Sequence, residues 1–230
     1  MGYTYMAVEY HVISIGTLSR NRFWNETSAK RPAHSTTVLI REKTTTILVD
    51  PGLPGELLAQ RLDERAGLKP EQIDVVFLTT FRPVHRRGLR LFSASSWLMY
   101  EPEVESMRGC LAQAEQNVDD GSDDETARLV REEQWLLDRI KPADEKLTPA
   151  VHLFPLVGVS PGAAGLLLAT PSRTVIVAGD AVVTQDYFAS GRVYEQVFDV
   201  EAAQSSFSEI VEIADEVIPG HDNGFRVIGR

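Results

Sequence analysis

The sequence predicts one α/β or α+β domain built on a mixed β-sheet. The order of local patterns runs strands, helices, strands, helix, which points to that class without choosing within it. The 230 residues, 43% hydrophobic and 24% charged, match ordinary soluble domains and suffice for one substantial core. No internal repeat or low-complexity tract divides the chain, so residues 1–230 read as a single domain.

Residues 7–16 (AVEYHVISIG) alternate loosely and predict a strand, followed by a polar loop to His34. Residues 35–41 (STTVLIR) and 44–49 (TTTILV) are β-branched and closely spaced, which predicts a hairpin stopped by Asp50-Pro51-Gly52. Pro54 opens a helix through Ala66, with Leu57, Leu58 and Leu62 on one face and Gly67 as its C-terminal cap. Residues 73–78 (IDVVFL) predict the next strand. After a loop with Arg82, Arg86, Arg87 and Arg90, residues 96–100 predict another.

Residues 102–148 form a helical insert interrupted by an acidic run at 119–125. That run lacks the ligand spacing of a calcium loop and reads as a turn whose Asp123 or Asp124 caps the next helix. Strand patterns return at 151–157, 165–170 and 174–178. A helix at 200–214 and a short strand at 216–218 complete the chain.

Charge and composition exclude whole classes of function. The chain carries 23 Lys plus Arg against 33 Asp plus Glu, a net charge of −10 that disfavours nucleic acid as a partner. No apolar run approaches the roughly 20 residues of a membrane helix. The N-terminal residues lack a secretory pattern, so a cytoplasmic location is expected. The single cysteine, Cys110, excludes an internal disulfide and a cysteine-rich zinc knuckle, which leaves His and carboxylate as the ligands for any metal.

Three such groups stand where loops leave strands: His85, Asp180 and His221. Side chains at separate strand ends converge on one sheet edge, the layout of an open metal site. Arg82 precedes His85 in the same loop. The other loop arginines, Arg86, Arg87 and Arg90, read chiefly as a solvent-facing coat, with Arg86 a secondary anion contact. His11, His34 and His152 read as structural.

The segment 36–52, the strand 74–78 with Thr79 after it, Gly179-Asp180-Ala181, and Ile218-Pro219-Gly220-His221 together resemble the metallo-β-lactamase-fold hydrolases, in order and spacing over nearly the whole chain. The single-domain glyoxalase II-like and lactonase branches are closest in style. The resemblance implies a four-layer αβ/βα sandwich, two mixed sheets flanked by helices, with a metal site along one edge. It also implies a supporting role for Asp50 beneath the metal loop.

The departures concern the ligands. The family's Thr-His-x-His-x-Asp-His reads here Thr79-Thr80-Phe81-Arg82-Pro83-Val84-His85. Val159 stands where a later His ligand belongs. By the family's map one metal site is abolished, while the second loses its Asp to Val84 and keeps His85, Asp180 and His221.

Two readings follow. In the first, one divalent ion (zinc, or alternatively iron or manganese) is held by His85, Asp180 and His221, and the chain hydrolyses a small ester, thioester or lactone, with His85, Asp180 and Arg82 as catalytic residues. In the second there is no metal: Arg82 pairs bidentately with Asp180, and the protein is an inactive family member that binds an anionic ligand or a partner. The helical insert is expected to shape the pocket mouth, and Trp97, Trp135 and Tyr187 to contribute to a homodimer surface.

Overall fold

The computed structural model describes residues 8–119 and 124–228. Two six-stranded mixed sheets face each other. The first contains β1 (Glu9–Ser14), β2 (Thr37–Glu42), β3 (Thr45–Val49), β4 (Val75–Leu78), β5 (Ser96–Met99) and β6 (Ile140–Pro142), in that spatial order. The second contains β7 (Lys146–Thr148), β8 (Val151–Pro155), β9 (Ala164–Ala169), β10 (Thr174–Gly179), β11 (Glu216–Pro219) and β12 (Phe225–Arg226), ordered from β12 back to β7. In the first sheet β1, β2 and β3 pair antiparallel and β3 to β6 parallel. In the second, β10 and β11 form the parallel pair.

Side-chain alternation explains why two layers of sheet form. Val38, Ile40, Ile47, Val49 and Phe77 point from the first sheet into a shared core with Val151, Leu166, Leu168, Val175, Val177 and Ile218 of the second. The intervening residues Leu39, Leu48, Val76 and Leu78 face outward against a helical layer. That layer comprises α1 (Gly55–Ala66), the four-residue turn α2 (Pro83–Arg86), α3 (Glu101–Asp119) and α4 (Asp124–Asp138). On the far side, α5 (Gln185–Ala189) follows β10, and α6 (Val200–Ile213) covers the second sheet with Phe207 and Ile210. The inner strands β2, β3, β4, β10 and β11 bury apolar residues on both faces, as a sheet covered on both sides requires.

Four departures from the sequence reading have local causes. Leu58 and Leu62 of α1 are buried, but Leu57 is 41% exposed because it falls off the stripe they define. Residues 140–148 are not helical: β6 ends the first sheet and β7 begins the second, both too short to show alternation. Trp97 and Tyr187 are 2% and 1% exposed and belong to the interior, so of the three residues expected at a dimer surface Trp135 alone is exposed. β12 and α5 were not anticipated, being two and five residues long. The acidic tip at residues 120–123, including Asp123, lies outside the described residues.

The inter-sheet core ends just beneath the strand ends that carry the polar residues. Val49 precedes Asp50, Phe77 lies two residues before Thr79, Val177 three before Asp180 and Ile218 three before His221. Phe77→Ala should therefore destabilise the protein by about 3–5 kcal/mol, the usual cost of emptying a buried aromatic site. Urea denaturation followed by circular dichroism measures it.

Candidate functional site

Asp50, His85, Asp180 and His221 meet at one edge of the two sheets, all buried. Asp50 leaves β3 with φ 49°, a left-handed conformation that Asp tolerates better than most residues. Its carboxylate accepts hydrogen bonds from the Thr79 backbone N–H (2.9 Å) and hydroxyl (2.6 Å), and pairs with His85 Nδ1 at 2.8 Å. Thr79 and His85 are thereby fixed by one residue from the neighbouring strand. Gly179, at φ 53°, turns the chain at the end of β10; a Cβ there would stand 2.6 Å from Thr79 Oγ1. Gly220 is equally constrained, since its Cβ would lie 2.8 Å from Asp180 Oδ1.

The hydrogen-bond partners assign the tautomers of both rings. His85 commits Nδ1 to Asp50, and His221 commits Nδ1 to the carbonyls of His34 (2.9 Å) and Thr17 (3.2 Å). Nε2 of each neutral ring is then a lone pair. Both point at the same region: His85 Nε2 lies 3.1 Å and His221 Nε2 3.0 Å from Asp180 Oδ1. Three acceptors so close repel one another unless a cation stands among them. His85 Nε2 and Asp180 Oδ1 are buried, and neither has a partner in hydrogen-bond direction.

The ligand atoms of His85, Asp180 and His221 all lie within 4.8 Å of one another. The two short separations are close to the roughly 3.3 Å edge of a tetrahedron with zinc-like bond lengths. The donor set therefore fits a divalent ion, with Asp50 orienting the His85 ring from behind, as such carboxylates do in metal sites. Without an ion, protons must supply the positive charge. Burial favours the neutral His85 ring, but Asp180 and Asp50 on its two nitrogens overcome that and push its pKa up to about 10. Burial likewise opposes ionisation of Asp180, yet the two imidazoles hold its carboxyl well below the usual range.

Arg82 joins the cluster from the opposite side of the carboxylate. Its Nη1 donates to Asp180 Oδ2 at 2.8 Å, while Nη2 donates to the carbonyls of Val159 (3.0 Å) and Gln196 (2.7 Å). The expected bidentate pair with Asp180 is thus replaced by one bond, because the second nitrogen satisfies two loop carbonyls. Thr80 turns away and donates to Glu103 Oε1 at 2.9 Å. Val159 contributes its backbone carbonyl, its side chain being buried.

A cavity of about 400 Å³ opens over this cluster. Arg82, Val84, Asp180 and His221 line it, with Leu18, Ser19 and Ala33 on one wall and Tyr194 and Gln196 on another. None of the described residues of α3 or α4 lines it, so the described part of the helical insert does not form the pocket mouth as expected. The loops at 18–33 and 194–196 take that part, joined by the Arg22–Glu195 ion pair and by Tyr187 Oη on Glu195. Arg86 corrects a second expectation: it is 8% exposed and turned away from the cavity, with its Nε on the Phe81 carbonyl at 2.6 Å and its guanidinium paired with Glu133. Arg87 and Arg90 are exposed, as read. The sequence held no signal for Glu103 or Glu133, since their partners are distant in the chain.

The comparisons agree with this architecture. A family model for the metallo-beta-lactamase superfamily matches residues 31–79, the segment holding β2, β3, α1 and β4. Solved structures match along nearly the whole chain. A metallo-beta-lactamase candidate from Thermotoga maritima has a TM-score of 0.68 at 17% identity, covering 96% of this chain and 99% of its own. The chain has the metallo-β-lactamase fold. AidC, a dizinc quorum-quenching lactonase, matches with a TM-score of 0.67 at 14% identity, over 94% of this chain and 85% of that one. AiiA of Bacillus thuringiensis, solved as a mutant with N-decanoyl-L-homoserine at its active site, matches at 0.64 and 19% identity, over 96% and 94%. No curated protein matches at the level of sequence. Among the described residues, no helix is long and apolar enough to cross a membrane.

Asp50→Ala should leave His85 Nδ1 and the Thr79 N–H and hydroxyl without their buried acceptor, costing about 3–5 kcal/mol. Chemical denaturation of the metal-free protein measures the loss, and a change below 1 kcal/mol would contradict the assigned role.

Proposed function

We propose that this metallo-β-lactamase-fold chain is a metal-dependent hydrolase of a small ester, thioester or lactone, working with one divalent ion. The convergence of His85 Nε2, His221 Nε2 and Asp180 Oδ1 beside an open cavity supports this reading above all. Two imidazoles and a carboxylate with room for a further ligand suit zinc, with iron or manganese as alternatives. When bound there, such an ion supplies Lewis-acid polarisation of the scissile carbonyl.

The remaining work falls to the chain's own groups. Arg82 stands where the resemblance implies the first ion of a dinuclear centre. Its guanidinium lines the cavity and would supply positive charge to an oxygen on which charge develops during attack at a carbonyl. Charge balance makes the exchange self-consistent. Two divalent ions with two carboxylates leave two positive charges, and one ion with Arg82 and Asp180 leaves the same two. On this account Val84 is the compensating loss of an anionic ligand, and it gives the cavity an apolar wall. Asp180 is then the carboxylate in that lining, with one oxygen facing the two rings and the other accepting from Arg82. The positive centre favours a neutral or anionic small molecule over a cationic one.

One observation supports a second reading. Arg82 already pairs with Asp180, a carboxylate whose side chain is 3% exposed, so the chain also balances part of its charge as a metal-free ligand-binding module.

Elemental analysis of purified, zinc-supplemented protein separates the two. The first reading expects about one ion per chain, removed by chelator and absent from His221→Ala, with Arg82→Ala retaining the ion and losing hydrolysis in a screen of esters, thioesters and lactones. Background metal in the wild type, together with marked destabilisation by Arg82→Ala, would establish the second reading and overturn the first.

A further inference from the structure

The helices α3 and α4 stand behind the candidate centre, yet each sends one carboxylate into the turn that carries it. From α3, Glu103 is 1% exposed and accepts from Thr80 Oγ1 (2.9 Å), the Phe81 N–H (3.1 Å) and the Gly162 N–H (3.1 Å). From α4, Glu133 pairs with the guanidinium of Arg86. Arg86 in turn closes residues 81–86 on themselves: its Nε donates to the Phe81 carbonyl, and its Cζ lies 4.0 Å over the Phe81 ring. Between those two ends sit Arg82 and His85, the two residues of the turn that touch Asp180.

The side chain of Arg86 is 7% exposed, and a charge so placed needs a partner. Glu133 supplies it. Without Glu133, the guanidinium gains by leaving for water, and the Phe81 carbonyl loses the donor that holds the turn shut. The consequence reaches the neighbouring residues directly, because Arg86 follows His85 and Phe81 precedes Arg82 in the chain.

We propose that Glu133 is a positioning residue that acts through Arg86 to hold the 81–86 turn, and so sets the metal affinity of the His85, Asp180 and His221 site. The helical pair is on this account a support for the metal turn, although none of its described residues lines the cavity. The proposal rests on the single-ion reading above.

The test compares wild type with Glu133→Ala, Glu133→Gln and Arg86→Lys, and with Glu132→Ala as a control on the same helix. Glu132 meets Arg90 at 3.8 Å on the exposed surface, so its loss leaves the turn alone. The readouts are the zinc dissociation constant, from competition with a chelating dye, and the visible absorption spectrum of the cobalt-substituted protein. Glu133→Ala should weaken zinc about tenfold or more, the scale on which loss of groups supporting metal ligands acts, and should alter the cobalt bands. Glu133→Gln should fall between, while Glu132→Ala stays within twofold. If Glu133→Ala does not fold, the Gln and Lys variants carry the comparison. Zinc affinity within twofold of wild type and an unchanged cobalt spectrum in the Glu133 and Arg86 variants would overturn this proposal alone. A wild type that takes up no ion would overturn the single-ion reading and this proposal with it.

Discussion

The carboxylate of Asp180 is the constraint around which the functional edge of this protein is arranged. It is nearly inaccessible to water, yet it stays ionised, so positive charge must be brought to it from several directions. One oxygen faces His85 and His221, and the other faces Arg82. Those partners come from the turn after β4 and the loop after β11, while Asp180 itself follows β10. The two sheets must therefore be registered against each other for the cluster to exist. The hydrophobic core between the sheets fixes that registration, and it ends directly below the site.

Asp50 provides a second level of control. It lies on the far side of the His85 ring and holds it through Nδ1, while the same carboxylate takes both donors of Thr79. A ring fixed at Nδ1 presents Nε2 in one direction, which here is toward Asp180. His221 achieves the same result with backbone carbonyls from the loop at 17–34. One ring is thus oriented by a carboxylate side chain and the other by backbone carbonyls. Loss of the first support leaves buried donors stranded, whereas the second depends on the path of a loop that also walls the cavity.

Much of this was legible in the sequence, and the reasons are physical. β2, β3, β4 and β10 are long enough and apolar enough to show alternation or a continuous β-branched run, and Gly67 and Pro54 mark the ends of α1. His85, Asp180 and His221 could be named because each follows a strand read from the sequence, β4, β10 and β11. What stayed hidden depends on distance along the chain. The Arg86 to Glu133 pair spans 47 residues and the Thr80 to Glu103 bond spans 23, and neither leaves a local pattern. Arg86 read as a surface residue for the same reason: its type favours exposure, and only the three-dimensional arrangement supplies the partner that permits burial. The cavity wall was misplaced because the loops at 18–33 and 194–196 have no periodicity to mark them.

The side chains around Asp180 are each committed to a structural partner. Thr80 holds Glu103, and Glu103 also holds the backbone at Phe81 and Gly162. Val159 gives its carbonyl to Arg82, and Arg82 also secures the carbonyl of Gln196 in the opposite cavity wall. A histidine at residue 80 would remove one of the three donors to Glu103, and one at residue 82 would release the wall at Gln196 and leave Asp180 Oδ2 without its donor. Thr80, Glu103, Arg82, Val159 and Asp180 are instead tied into polar contacts that brace the turn after β4 and the cavity wall. Such contacts order the His85, Asp180 and His221 cluster from both of its sides. They also assign Arg82 a double duty, as the fixed charge beside Asp180 and as the strap that holds the cavity wall in place.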